Sequence, residues 1–213
     1  MKKILKNRSK EIIKAIEPLP YFTINNLISI DKDRDYLKRL LYRLKKQNKI
    51  IAIKRGIYVH NIYLEEIKRK NLFSEYLEFI ANIIYQPSYL SGEYVLQKYG
   101  ILSELVNAFT LVSSKKTKKL FNKFGNFKYY HIKKELFVGF KSNQKDDFLI
   151  AEASLAKSLF DFLYFRKNIL NSLEQIKELR LNLENLKQKD WQELKKYIEI
   201  EDSKKMRKIL KNL

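Results

Sequence analysis

Between Thr23 and Val59 the spacing of apolar residues changes character twice, and few folds accommodate such a succession. Ile24, Leu27 and Ile28 recur at helical spacing behind Thr23, a natural cap. Asp31 or Asp33 then caps a second helix, in which Leu37, Leu40, Leu41 and Leu44 form one apolar stripe. After Lys49 the helical period ends. Two short β-rich runs, Ile50-Ile51-Ala52-Ile53 and Ile57-Tyr58-Val59, flank Lys54-Arg55-Gly56 and predict a hairpin. Helix, turn, helix and hairpin in that order are the signature of a winged helix-turn-helix.

The second helix is basic off its apolar stripe. Arg34, Lys38 and Arg39 near its start are candidates for base or phosphate contact, and Tyr42 and Arg43 for the flanking backbone; Lys45 and Lys46 also lie largely off the stripe. Lys54 and Arg55 stand at the hairpin turn, where a wing meets phosphates or a minor groove. These seven residues form the candidate DNA-binding set. Asp33 and Asp35 oppose phosphate, although a cap at the helix start tolerates one carboxylate, and Asp35 has Lys38 and Arg39 within reach along the helix. The alternative is a solvated basic helix in a winged fold used for protein contact.

Forty-four Lys and Arg stand against 24 Asp and Glu, a net charge of +20 with a pI near 9.8. Coding bias toward Lys, Asn and Ile accounts for part of this, but not for its placement. Residues 1–60 hold 16 basic and 5 acidic side chains, 16 − 5 = +11, over half of the excess. A polyanionic partner is the first expectation. Cysteine is absent and histidine occurs only at positions 60 and 131, which excludes a disulfide framework and a Cys/His zinc cluster. No apolar run approaches the roughly 20 residues of a membrane span, and the Met-Lys-Lys start leads into Asn7-Arg8-Ser9-Lys10 without an apolar leader core. The expectation is a cytoplasmic protein with no membrane partner and no cofactor.

Five Gly and three Pro imply a helix-rich α+β chain with short loops. A first helix is expected from about Ile4 to Ile16, stopped by Pro18 and Pro20. Residues 1–60 would form the winged domain, 61–86 a helical connector patterned over Leu64–Tyr85, and 87–213 a mixed C-terminal domain. Within the last, Ser91–Tyr99 reads as a helix closed by Gly100, and 108–113, 127–132 and 135–140 read as strands. Lys115, Lys116, Lys118 and Lys119 mark a basic loop or helix start. A helix is expected over Ala151–Phe165, capping boxes at Ser172–Gln175 and Asp190–Glu193, and a basic terminal helix over Lys204–Leu213.

Catalysis is not expected. Lys157 and Asp161, at i and i+4, read as an ordinary helix ion pair worth roughly 0.2–0.5 kcal/mol, with Glu152 about a turn earlier. His131 lacks a partner acid or nucleophile at any fixed spacing, Asp146-Asp147 sits in a polar loop, and no metal ligand set is apparent. Neither a phosphate-cradling Gly-rich loop nor the Gly-Ser and paired carboxylates of a nucleotidyltransferase is present. The aromatics from Phe124 to Tyr130 beside the 115–119 lysines suggest, as a second surface, rings that stack single-stranded RNA bases; core packing is the competing role for them.

A longer succession covers the chain to about residue 166. Tyr89-Leu90-Ser91-Gly92-Glu93-Tyr94-Val95-Leu96 precedes Tyr99-Gly100; then come Phe109-Thr-Leu-Val112, Phe127-x-Tyr-x-His131-Ile132, Leu136-Phe137-x-Gly139, Ala151-Glu152-Ala153 and Lys157-Ser-Leu-Phe-Asp161-Phe-Leu-Tyr164. With the winged block this order resembles the AbiEi antitoxins of type IV abortive-infection toxin–antitoxin systems. Tyr99-Gly100 stands where that family often has His-Gly, and a family Pro is absent from 151–153, so neither position takes a borrowed role. The resemblance implies a repressor that binds inverted repeats in double-stranded DNA of its own promoter. It also implies a C-terminal domain counteracting a neighbouring nucleotidyltransferase toxin without a required stable complex. The alternative is a winged-helix nucleic-acid-binding regulator without antitoxin activity.

Overall fold

The computed structural model describes residues 2–213, with side chains from Arg8 onward. Met1, where the leader reading begins, lies outside the described residues. The fold is α+β, with ten α-helices and two sheets among the described residues. The chain divides into two compact units, residues 1–77 with 122–124, and residues 78–121 with 125–213.

The first unit runs α1 (Lys2–Ile16), β1 (Phe22–Thr23), α2 (Ile24–Leu27), α3 (Arg34–Lys46), β2 (Ile50–Lys54), β3 (Ile57–His60) and α4 (Asn61–Arg69); α5 (Phe73–Ile84) begins within it. Its antiparallel sheet has the order β1-β3-β2, which with three preceding helices is the winged-helix arrangement. Ile12 and Ile16 from α1, Phe22, Leu27, the α3 stripe Leu37, Leu40, Leu41 and Leu44, and Ile50 make one buried core. The expected single run over Leu64–Tyr85 is two helices instead. Asn71 adopts φ +57°, and the amides of Leu72 and Asn71 donate to the carbonyls of Ile67 (3.0 Å) and Lys68 (3.1 Å), which stops α4 in a Schellman turn. Asn48, at φ +55°, closes α3 the same way through Lys49 to Leu44 and Asn48 to Lys45. Asparagine thus takes the left-handed position that glycine usually fills.

The second unit contains β4 (Ser88–Leu90), α6 (Glu93–Lys98), β5 (Phe109–Ser113), β6 (Lys118–Asn122), β7 (Gly125–His131), β8 (Phe140–Lys145), β9 (Phe148–Ala153), α7 (Leu155–Tyr164), α8 (Leu173–Lys177), α9 (Gln188–Glu201) and α10 (Lys204–Lys211). Its six strands are ordered β6-β7-β5-β4-β9-β8, with β5/β7 and β4/β9 parallel and β4/β5 and β8/β9 antiparallel. Several sequence expectations are corrected. Residues 135–140 are not a strand; Lys134–Leu136 is a 3-10 turn that buries Leu136 and β8 starts only at Phe140. Ala151–Ala153 ends β9, and the helix begins after Ser154, whose Oγ accepts the Lys157 amide (3.1 Å). The last two residues of the 115–119 cluster belong to β6. Asp190 does not open α9 but lies inside its first turn, accepting the Lys187 amide at 2.9 Å. The Ser172–Gln175 capping box forms as expected.

Every residue of α7 from Ala156 to Leu163 is buried, including Lys157 and Asp161, both 0% exposed. The surface-pair reading of these two is therefore overturned. Asp161 accepts from Lys157, from Ser91 Oγ (2.7 Å) and from Tyr89 Oη (3.1 Å), so α7 is bonded to β4 and the turn after it. Lys157 Nζ lies 4.6, 5.4 and 5.9 Å from the ring centres of Phe160, Tyr197 and Tyr89. Burial pushes the Lys157 ammonium down and the Asp161 carboxyl up, each toward its neutral form. Gly139, at φ +79°, passes so close that a Cβ there would fall 2.2 Å from Tyr197 Oη.

Glu152 is not on α7 but on β9, where it joins a second charged group. Lys98 bridges Glu78 (2.5 Å) and Glu152 (2.6 Å), and Lys145 bridges the same carboxylates at 2.9 and 3.2 Å. Tyr94 and Tyr99 donate to Glu78 and Glu152 at 2.9 and 3.0 Å. Burial works to raise the Glu78 carboxyl, but the hydrogen bonds from Lys145 and Lys98 outweigh it and hold the group below its ordinary value.

Two outcomes follow. Lys157→Met strands a buried carboxylate and is expected to lower unfolding free energy in urea by about 3–5 kcal/mol, while Lys157→Met/Asp161→Leu recovers most of the loss. The depressed Glu78 carboxyl contributes stability above an unfolded pKa of about 4.3, and that contribution disappears as pH falls through the lower folded value. Glu78→Gln should therefore lower the urea midpoint at about pH 7, and its deficit relative to wild type should shrink as pH falls through the folded value.

Candidate nucleic-acid interface

The exposed face of α3 is built by the same periodicity that buries its leucines. Asp35, Arg39, Tyr42 and Lys46, at spacings of four, three and four, lie along the line opposite the buried stripe and are all exposed. Tyr42 is 65% exposed, with Lys46 Nζ 5.8 Å from its ring centre. Lys46 therefore belongs to the stripe that Arg39 and Tyr42 define; its spacing was the available signal. Arg34, Lys38 and Arg43 flank this line and are also exposed. Among the described residues no carboxylate pairs with Arg39, Arg43 or Lys46, whereas Lys38 is bonded to Asp35 at 3.0 Å and Arg34 Nη2 lies 3.5 Å from Asn25 Oδ1.

The acidic residues around the helix start are occupied by the fold. Asp33 Oδ1 accepts the Tyr36 amide (2.9 Å) and Asp31 Oδ1 accepts the Asp33 amide (2.9 Å). Arg8 forms a two-nitrogen pair with Asp31 and lies 3.6 Å from Asp33, with its guanidinium 4.1 Å from the Tyr36 ring centre. The Arg8 hydrogen bond holds the Asp31 carboxyl below its ordinary value, against the upward push of burial. Near the N-terminal end of α3, Asp35 lies exposed on the basic stripe and the cap Asp33 is exposed beside it; Lys38 holds the Asp35 carboxyl below its ordinary value.

In the wing, β2 and β3 are joined by Arg55 and Gly56, with an irregularity in register between Ala52 and Lys54. Gly56 takes φ +85°, and nothing lies within 4 Å of a Cβ built there, so backbone conformation alone calls for glycine. Arg55 is exposed at the tip and Lys54 is half-buried at the strand end.

The second lysine cluster separates into two environments. Lys115 and Lys118 place Nζ 5.8 and 5.3 Å from the Tyr85 ring centre, Tyr85 Oη donates to the Lys116 carbonyl (3.0 Å), and a His131 ring nitrogen sits 3.1 Å from the Lys115 carbonyl. Tyr85, Lys115 and His131 line an open depression together with Lys116 and Thr117. Lys119 instead borders a cavity of about 600 Å³ with Leu105, Phe121 and Phe162. The stacking role suggested for Phe124–Tyr130 is contradicted: Phe127 and Tyr129 are fully buried, Phe124 is 7% exposed, and Tyr130 stacks on Phe165 at 5.0 Å.

Among the described residues no helix is long and apolar enough to cross a membrane, and no group of three or more His, Asp or Glu is placed to hold a metal ion. No protein-family model and no curated protein matches this chain. Asp33→Ala removes the cap that seats α3 and is expected to cost about 1 kcal/mol of stability, read as a lower thermal midpoint by circular dichroism.

Proposed function

We propose that the chain is a DNA-binding autoregulator whose winged unit reads its own promoter, and that its second unit is the antitoxin of a type IV system acting against a neighbouring nucleotidyltransferase. The observation that carries the DNA half is the α3 stripe. Arg39, Tyr42 and Lys46 project from a helix whose opposite face is locked by four buried leucines, with Arg55 at the tip of the adjoining hairpin. A recognition helix requires this division: apolar contact fixes its position while long donors reach base edges and phosphates. The burial of Asp31 against Arg8 supports the same reading, because it withdraws that carboxylate from the approaching phosphates, while Asp33 remains at the surface as the helix cap. The antitoxin half is supported by the AbiEi-like order of motifs from Tyr89 to Tyr164. No metal, cofactor or catalytic step enters this proposal.

The test is a gel shift with the DNA upstream of the gene over a salt series. Arg39→Ala and Lys54→Ala/Arg55→Ala are expected to weaken binding, and the slope of log K against log salt should flatten by about 0.9 for each phosphate no longer neutralised. Unchanged affinity in both variants would sink the helix and wing assignment. For the antitoxin half, the reading predicts a nucleotidyltransferase gene beside this one, and co-expression of the full chain is expected to restore growth in its presence; a solitary gene, or failure to restore growth, removes that half alone.

A further inference from the structure

A cleft of about 660 Å³ lies wholly within the second unit and shares no residue with the depression at Tyr85. Its walls include Tyr99 after α6, Lys141 and Asn143 on β8, Asn185, and Lys187 and Lys189 at the start of α9. Among the described residues none of these three lysines is paired with a carboxylate. The carboxylates of the cleft are engaged elsewhere. Glu152 is held by Lys98, Lys145 and Tyr99, Glu193 accepts from Ser154 Oγ (2.7 Å) and Tyr197 Oη (2.6 Å), and Asp190 accepts the Lys187 amide. With Glu152 neutralised by its two lysines, three ammonium groups face two carboxylates, 3 − 2 = +1.

Tyr99 gives the cleft a second kind of chemistry. The residue is 49% exposed while its hydroxyl is tethered to Glu152, so the side chain is held in a fixed place at the surface. Asn185 is held by its Nδ2 donating to the Gly100 carbonyl (3.0 Å), and Asn143 is exposed on the edge strand. Ring, amides and lysines are the groups that take, respectively, a base face, base-edge or ribose polar atoms, and phosphate oxygens. The volume lies within the roughly 300–1,000 Å³ of small-ligand sites. We propose that this cleft binds a phosphorylated nucleoside, its phosphates on Lys141, Lys187 and Lys189 and its base against Tyr99. The inference does not rest on the promoter-binding reading.

Calorimetric titration of the full chain with a nucleoside triphosphate, the bare nucleoside and inorganic pyrophosphate tests it. The triphosphate is expected to bind and the nucleoside to bind at least tenfold more weakly, or about 1.4 kcal/mol. Lys141→Ala/Lys189→Ala should weaken triphosphate binding by about tenfold or more. Tyr99→Leu should weaken the triphosphate but not pyrophosphate, while Tyr99→Phe, which keeps the ring, retains binding. A strand end carries the same chemistry, so the second arm uses a short oligoribonucleotide with and without a 5′-phosphate, in an Arg39→Ala/Lys54→Ala/Arg55→Ala background that silences the winged surface. Binding of the triphosphate assigns the free nucleotide. Binding only of the phosphorylated strand, abolished by Lys141→Ala/Lys189→Ala, assigns a strand end. Absence of binding by both at about 1 mM, equal affinity for pyrophosphate and triphosphate, or indifference to the lysine variant overturns the proposal.

Discussion

Asp161 accepts hydrogen bonds from its own helix and from two residues of another element, and the second unit is organised around that convergence. Lys157 supplies charge from α7, while Tyr89 and Ser91 supply hydroxyls from β4 and the turn after it. A helix buried on every side from Ala156 to Leu163 has no solvent-facing side to set its rotation against a sheet. A buried carboxylate with three donors supplies that setting, because rotation would strand a charged or polar group. The consequences spread outward. Tyr197 leans over the Lys157 ammonium, its hydroxyl reaches Glu193, and Glu193 also takes the hydroxyl of Ser154, the residue that caps α7. Gly139 is confined to glycine by the same crowding.

The first unit distributes its charges differently. Asp31 before α3 is buried against Arg8 and Asp33 caps the helix, while Asp35 stays exposed beside Lys38 and the stripe Arg39, Tyr42 and Lys46 faces outward. Electrostatic asymmetry there results from where acids are bound as much as from how many bases are present. Arg8 lies over the Tyr36 ring as well, so one guanidinium ties α1 to α3 through charge and through aromatic contact.

The winged unit is legible in the sequence because its residues act locally. Leu37, Leu40, Leu41 and Leu44 have one solution as a helix face, and Lys54-Arg55-Gly56 between β-branched runs has one solution as a turn. Lys46 shares the spacing of Arg39 and Tyr42 and follows from extending the stripe one turn. The second unit is less legible because its decisive contacts join distant positions. Spacing alone cannot distinguish a buried i,i+4 pair from an exposed one, although Leu155, Ala156, Leu159, Phe160, Phe162 and Leu163 around Lys157 and Asp161 leave no polar face, the mark of a buried helix. β8, Phe-Lys-Ser-Asn-Gln-Lys, is an edge strand without apolar alternation, so nothing in its pattern marks it as a strand. Asn71 hides a helix end by occupying a position expected of glycine. The cleft residues between Tyr99 and Lys189 span some ninety positions and meet only through tertiary structure.

The two outermost strands of the six-stranded sheet have a bearing on solution behaviour. Among the described residues, β6 and β8 each present a row of backbone groups with no neighbouring strand on one side, and such rows are templates for another chain. β6 carries Lys118 and Lys119 and β8 carries Lys141, all exposed. A second molecule aligning the same strand alongside would bring ammonium groups against ammonium groups. Like charge along both margins therefore disfavours edge-to-edge pairing of copies, since such pairing would crowd ammonium groups together.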